Sequence, residues 1–319
     1  MSYPIGEPYS AGTMPTHDGH RVYWEVCGNP DGKPAIVLHG GPGSGATPWW
    51  RQFFDPSRYR VVMFDQRGCG RSMPSARDDL AALENNTTAH LIADVEALRG
   101  LLGIDRWLLF GASWGSTLGL SYAVEHPERV SELVLWALVT TRAKDVHWLT
   151  HVMGEVYPKE FDELLGVIPP ESRSGNIPAA MSALLRSPDA GVRDEAARAW
   201  CAWEDRIATL SGPVIPSPRW QEPSARLGFA RLVTHYFGHH AFLDDDAITS
   251  RLHRISHIPA YFLRGRLDIA SPLRSAYEIA QHLPMATLEI IEADAHGAGD
   301  DTTERLVKAL DGFARPTTP

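Results

Sequence analysis

The 319-residue chain has 30 Lys and Arg against 39 Asp and Glu, with 44% apolar and 22% charged residues, a balance that excludes a disordered or fibrous protein. A formal charge of -9 argues against nucleic acid or an anionic membrane as partner, since either needs a net basic face. Cys27, Cys69 and Cys201 are odd in number, far apart and form no C-x-x-C pair, which predicts free thiols in a reducing compartment rather than a disulfide framework or structural zinc. The first ten residues hold no basic stretch followed by an apolar run, so no signal peptide is expected and the cytoplasm is the expected location.

At roughly 150 residues per domain the length allows about two units, or one continuous core with an insertion. Along the chain, Ala35–Leu38, Arg60–Asp65, Trp107–Phe110, Glu132–Trp136, Tyr261–Leu263 and Leu288–Ile291 read as short buried strands that alternate with helical patterns, the signature of a parallel sheet. Between two of them, Leu91, Ile92, Val95, Leu98 and Leu102 recur at helical spacing, with Asn86 or Thr87 as cap and Gly103 as stop. The uncharged run Trp107–Val124 is long enough for a membrane span, but its glycines and hydroxyl residues fit strand, turn and helix better. Alternation lapses between about Thr140 and Phe237, where a Pro169-Pro170 pair and Ala-rich helical segments such as Asp194–Ile207 predict a helical cap, and the tail after Ala314 looks frayed. The expected division is a core of residues 1–139 and 239–319 with a cap of 140–238. The cap's Trp148, Trp200, Trp203 and Trp220 either fill a small core or line a pocket.

Gly111-Ala-Ser113-Trp-Gly115 fits G-x-S-x-G directly after a strand and before the helical run Thr117–His126, the setting of a nucleophile elbow. An isolated match would be read as a Gly-rich turn. Here an acid and a base follow in the order Ser, acid, His: Asp268 comes after Tyr261–Leu263, and His296, one of fourteen histidines, comes after the last strand. Asp294 and Asp300 are rival acids, but neither closes a separate strand. An oxyanion needs two donors, for which the amides of Trp114 and Gly41 are the candidates, the latter in His39-Gly40-Gly41-Pro42-Gly43. The stretch Gly41–Ala46 also mimics a dinucleotide fingerprint, with Asp65 where a ribose-binding acid would sit. Pro42 and the poor helix start at Thr47-Pro-Trp-Trp50 argue against NAD. His239-His240 with Asp244–Asp246 is a weak metal cluster better read as a solvated helix start, and no cofactor or metal is expected.

Together, His39-Gly-Gly-Pro-Gly43, Asp65-Gln-Arg-Gly-Cys-Gly-Arg-Ser72, Asn86-Thr-Thr88, Gly111-Ala-Ser-Trp-Gly-Ser116 and His126-Pro-Glu-Arg129 resemble the proline iminopeptidase family of α/β-hydrolases, and Cys201-Ala-Trp-Glu204 and His235-Tyr-Phe237 extend the likeness into the cap. The resemblance implies an α/β-hydrolase fold, a mostly parallel sheet flanked by helices under a helical cap. It implies a triad of Ser113, Asp268 and His296 and removal of an N-terminal residue, typically proline, without a metal. Glu204 would anchor the substrate's free ammonium, and Gly40 and Phe237 would lie in the substrate site. The departures concern the pocket. Val233 stands where the family carries a second anchoring glutamate. Trp136 lies near the family's arginine, Val139 and Leu149 near its aromatics, and Ser271 at its cysteine. These changes point away from proline toward another small aminoacyl group, such as alanine, cleaved from a peptide or hydrophobic amine. The alternative is an esterase of the same fold, since the same triad cleaves esters. The expected partner is a small molecule or short peptide with a free α-amine.

Overall fold

The computed structural model describes residues 2–208, 210 and 216–314. Eight strands form one sheet: β1 (Ser10–Pro15), β2 (Arg21–Gly28), β3 (Lys33–Leu38), β4 (Tyr59–Phe64), β5 (Trp107–Ala112), β6 (Val130–Trp136), β7 (Ala260–Gly265) and β8 (Ala286–Ile291). Their spatial order is β1-β2-β4-β3-β5-β6-β7-β8, with β1 and β2 antiparallel to their neighbours and every pairing from β4 to β8 parallel. The central strands are continuous apolar runs buried on both faces, as a parallel sheet between helices requires. All six strands read from the sequence are present.

The two antiparallel strands at one edge are additions to that reading. β1 carries Gly12 and ends at Pro15, which suits an edge, and β2 interrupts its apolar residues with Glu25. That glutamate is buried because Arg51 and Arg71 both hold its carboxylate at 2.7 Å. A charge that reads as surface in the sequence is here one corner of a buried ion-pair network.

Helix α1 (Thr88–Leu101) crosses between β4 and β5, capped by the Thr87 hydroxyl and ended by Gly103 at φ 64°. The apolar run from Trp107 resolves into β5, a turn and α2 (Trp114–Glu125), three residues earlier than the pattern suggested because the turn is tighter than a loop. Among the described residues no helix is long and apolar enough to cross a membrane. After β6 the chain makes α3 (Ala143–Thr150), α4 (Pro158–Gly166), α5 (Ile177–Leu185), α6 (Ala190–Ile207) and α7 (Pro223–Gly238) before returning to β7, α8 (Leu273–Gln281), β8 and α9 (Asp300–Phe313). Within this helical stretch Trp200 and Trp203 are fully buried and Trp220 nearly so. The tail beyond Ala314 lies outside the described residues.

Helix α7 joins the core through two motifs that had been only points of likeness. Tyr236 Oη donates to Asn86 Oδ1 at 2.7 Å, and His235 Nε2 lies 2.9 Å from the Asn86 carbonyl. Asn86 in turn spends its amide protons on the Arg67 and Ala82 carbonyls. The Asn-Thr-Thr and His-Tyr-Phe segments are therefore partners across the interface between the sheet and the helices over it.

Candidate active site

The turn between β5 and α2 holds Ser113 at φ 54° and ψ -124°, a region that costs a non-glycine residue of order 1–3 kcal/mol and persists only where its surroundings impose it. The surroundings are visible. A Cβ on Gly115 would fall 1.9 Å from the Leu38 carbonyl oxygen, so only glycine lets α2 approach the end of β3 this closely. The Ser113 amide donates to the Trp136 carbonyl on the neighbouring strand at 3.1 Å, which pins the turn from the other side.

His296 Nε2 lies 2.9 Å from Ser113 Oγ, and His296 Nδ1 lies 3.0 Å from Asp268 Oδ1. The three residues assemble from the ends of β5, β7 and β8, although as many as 183 positions separate them. Of the rival acids, Asp294 accepts from Thr302 Oγ1 and Asp300 opens α9. Neither reaches the imidazole in this arrangement, whereas Asp268 does.

Asp268 is fully buried, which alone would raise its pKa. The charges of His296 and Arg264, with hydrogen bonds from His296 and the Ala270 amide, outweigh burial and hold the carboxyl below its usual range. Arg264 is a member of the site that sequence reasoning missed. Its side chain is wholly buried, its Nε sits 3.0 Å from Asp268 Oδ2, and its Nη atoms donate to the Leu138 and Ser271 carbonyls and the Ser271 hydroxyl. A charge at the end of a buried strand, four residues before the acid, was the available signal.

A second missed residue is Gln66. Its side-chain amide donates to the His39 carbonyl at 2.9 Å, its backbone N–H donates to His39 Nε2 at 3.1 Å, and its carboxamide oxygen accepts from Trp114 Nε1 at 2.8 Å. Because His39 Nε2 accepts, Nδ1 carries the proton and donates to the Gly40 carbonyl at 3.0 Å, and burial keeps the ring neutral by lowering its pKa. One glutamine thus joins the glycine loop to the first residue of α2. These are the two places where Gly41 and Trp114 present amides with no acceptor among the described residues. Gly41 sits at φ 114°, and a Cβ there would meet the Gly43 nitrogen at 2.5 Å, so the loop can turn this way only with glycine.

Asp65, placed where a ribose-binding acid might sit, is spent inside the fold. Oδ1 accepts from the Ala46 amide at 2.7 Å, and Oδ2 accepts from the Arg71 amide and Nε at 2.9 and 2.8 Å. The segment after the glycine loop is a short 3-10 helix, Pro48–Phe53, not the α-helix whose N-terminus would hold a pyrophosphate. His239 stacks on Phe242 and lies 2.7 Å from the His235 carbonyl, and among the described residues no group of three or more His, Cys, Asp or Glu could hold a metal.

Among the described residues, Ser113 lines two cavities. The narrower, about 60 Å³, is walled by Val139, Val146, Leu149, Ile207 and Phe237, with Ser271 at its side. The wider, about 250 Å³, is walled by Trp49, Trp50, Trp136, Trp220 and Phe229 and includes Gly40. Gly41, Ser113, Glu204, Ala208 and His296 belong to both. The residues expected to form one substrate pocket are thus divided: Val139, Leu149, Phe237 and Ser271 face one cavity, Trp136 and Gly40 the other. Val233 lines neither of them. It is fully buried among the apolar side chains of α7 and the core, one helical turn before Phe237.

Glu204 lies at the junction. Its Oε1 is buried and accepts no hydrogen bond, and burial pushes its carboxyl up to about 7 against the lowering effect of the His296 and Arg219 charges. Asp145, the other acid lining the narrower cavity, is already paired, accepting from Thr140 and, at 2.9 Å, from the Ser275 hydroxyl.

Comparison with known proteins agrees with this construction. A family model of the alpha/beta hydrolase fold matches residues 33–302. A probable proline iminopeptidase of Streptomyces coelicolor is 46% identical over 99% of this chain and 98% of its own length. The proline iminopeptidase of Xylella fastidiosa is 40% identical over 98% of each. The crystal structure of proline iminopeptidase from Mycobacterium smegmatis, 22% identical, superposes with a TM-score of 0.60 over 96% of this chain and 97% of that one, a likeness of fold. Matched along nearly its full length, the chain belongs to the proline iminopeptidase family of α/β-hydrolases and is a hydrolase of that serine type.

Proposed function

We propose that the protein releases a small N-terminal aminoacyl group from an amide, of a peptide or of a hydrophobic amine, through an aminoacyl-enzyme on Ser113. The observation that carries this reading is the buried Glu204 Oε1, which accepts no hydrogen bond, in a cavity shared with a serine already hydrogen-bonded to its base. A buried carboxyl oxygen without a partner is costly, and a substrate ammonium would supply the partner and restore the charge. An ester lacking an amine would leave Glu204 as it is, which disfavours the esterase reading.

Ser113 Oγ attacks the aminoacyl carbonyl as His296 Nε2 takes its proton. Asp268 holds Nδ1–H and stabilises the imidazolium, with Arg264 keeping that carboxylate charged and still. The amides of Gly41 and Trp114 donate to the oxyanion. His296 then gives the proton to the departing nitrogen as the C–N bond breaks. Water, deprotonated by the same imidazole, attacks the aminoacyl-enzyme, and the serine leaves with that proton. The narrow aliphatic cavity receives the acyl side chain, and its size favours proline or smaller, alanine included. Residues 140–238 act as the cap that closes both cavities over a core of 1–139 and 239–319. A cytoplasmic setting is supported by the burial of all three cysteines as free thiols.

The test is kcat/KM on matched anilides of proline, alanine and larger residues, each with a free and an acetylated α-amine. A strong preference for free amines of small residues is expected. Equal rates on free and acetylated substrates would remove the anchoring role of Glu204 and favour the esterase.

A further inference from the structure

The wider cavity holds a cation that the reaction scheme leaves unused. Arg219, an exposed residue in the 3-10 turn Pro218–Gln221, lines the same cavity as Ser113 and His296. Its guanidinium carbon lies 4.1 Å from the Trp220 ring centroid and 4.6 Å from that of Phe229, so it packs over two walls of the cavity. Its hydrogen bond goes from Nη1 to Ser44 Oγ at 3.1 Å, on the loop that carries Gly41. Among the described residues no carboxylate comes within 4.0 Å of it, and the rest of its five N–H donors have no protein acceptor.

The nearest acids do not answer this cation. Asp205 accepts from Trp220 Nε1 at 3.0 Å and from the Ser217 amide at 3.2 Å, so its oxygens serve the wall itself. Glu204 is close enough for each charge to affect the other, yet makes no contact with Arg219. The two offer opposite charges to one ligand: Glu204 an acceptor at the junction of the cavities, and Arg219 solvent-facing donors in the wider one. A dipeptide is a molecule with both, its ammonium and carboxylate separated by about 7 Å at 3.3–3.6 Å per residue.

Given the aminoacyl-releasing reaction proposed above, on which this rests, we propose that Arg219 and the aromatic walls form a subsite for the leaving group, selecting an amine that carries a carboxylate on an apolar or aromatic body. The substrate class is a dipeptide with a small first residue and a large apolar second one. Arginine suits the task because its planar fork binds a carboxylate bidentately, and cation–π contact with Trp220 and Phe229 keeps it at the cavity wall.

The experiment compares alanyl-phenylalanine and prolyl-phenylalanine with the corresponding phenylalaninamides, which differ only in the terminal charge. The full-length enzyme is expected to favour the carboxylates by about tenfold or more in kcat/KM, the difference residing mainly in KM. In Arg219→Gln the ratio falls to about one, and in Arg219→Glu it inverts. Arg219→Lys retains part of it, as a point charge without the fork would. Because each variant is judged on a ratio between two substrates, a general loss of activity does not mimic the result. Equal rates on acid and amide in the unaltered enzyme, or a preference that survives Arg219→Gln, would overturn the subsite while leaving aminoacyl release standing. Failure to cleave either dipeptide alongside cleavage of the free-amine anilides overturns the subsite alone. Failure on every aminoacyl compound overturns both readings.

Discussion

The sheet side of the site and the helical side are built by different means. At the strand ends, the side chains of the site are tied to one another: Asp268 has Arg264 and His296, the glycine loop has His39, and His39 has Gln66, which leaves the Gly41 and Trp114 amides free for the oxyanion. Across the cavity, α6 offers a carboxyl with a bare buried oxygen, and the turn before α7 offers a guanidinium with spare donors. A connected network fixes geometry for a bond-making step, whereas groups with free donors or acceptors are what a ligand can engage. Chemistry and recognition are thus separated in space, and substitutions on the two sides should fail differently.

The largest effect is expected from Ser113→Ala, which should lower kcat by about 10⁴-fold or more while circular dichroism and the unfolding midpoint stay near those of the parent. A rate within tenfold of the parent would break the comparison at its root. Gly115→Ala should show the other vulnerability of the sheet side: with a Cβ 1.9 Å from the Leu38 oxygen, the elbow must shift, at a cost of about 3 kcal/mol in denaturant unfolding. Arg264→Met should cost about 3 kcal/mol as well, by leaving the fully buried Asp268 without its cation. It should also raise the Asp268 pKa, so that the acid limb of kcat/KM moves to higher pH, a displacement that a purely structural arginine would not cause.

On the helical side, Glu204→Gln should reduce kcat/KM for free-amine substrates by about 10- to 100-fold and leave acetylated ones nearly unaffected. The same variant sharpens the contrast through stability. The folded carboxyl titrates near 7 and the unfolded one near its ordinary 4.5, so between these values the folded protein binds more protons and stability falls as pH rises. Glu204→Gln escapes that loss. Its Tm should match the parent below about pH 4.5 and exceed it by a few degrees above pH 7; a constant difference across the range would show that the carboxyl is not strained by burial.

The same division governs what could be read in advance. Ser113, Asp268 and His296 were legible because each follows a strand, and strands announce themselves as apolar runs. Gln66 and Arg264 were not, because their roles depend on which carbonyl or carboxylate the fold brings alongside. Glu25 hid β2 for the same reason, since its arginine partners lie far along the chain. The pocket was the least legible. Trp136 and Val139 are three residues apart, yet the end of β6 sends them into different cavities, and Val233 on α7 points to neither.

Among the described residues, five, Ser113 and His296 included, are common to the two cavities. Each remaining wall therefore meets just one half of the substrate. A change at Leu149 should alter which acyl group is taken with little effect on the departing partner, and a change at Trp50 the reverse. The arrangement makes the enzyme a natural starting point for recombining preferences: two small libraries, one per cavity, could be selected separately and then joined in a single chain with their gains close to additive.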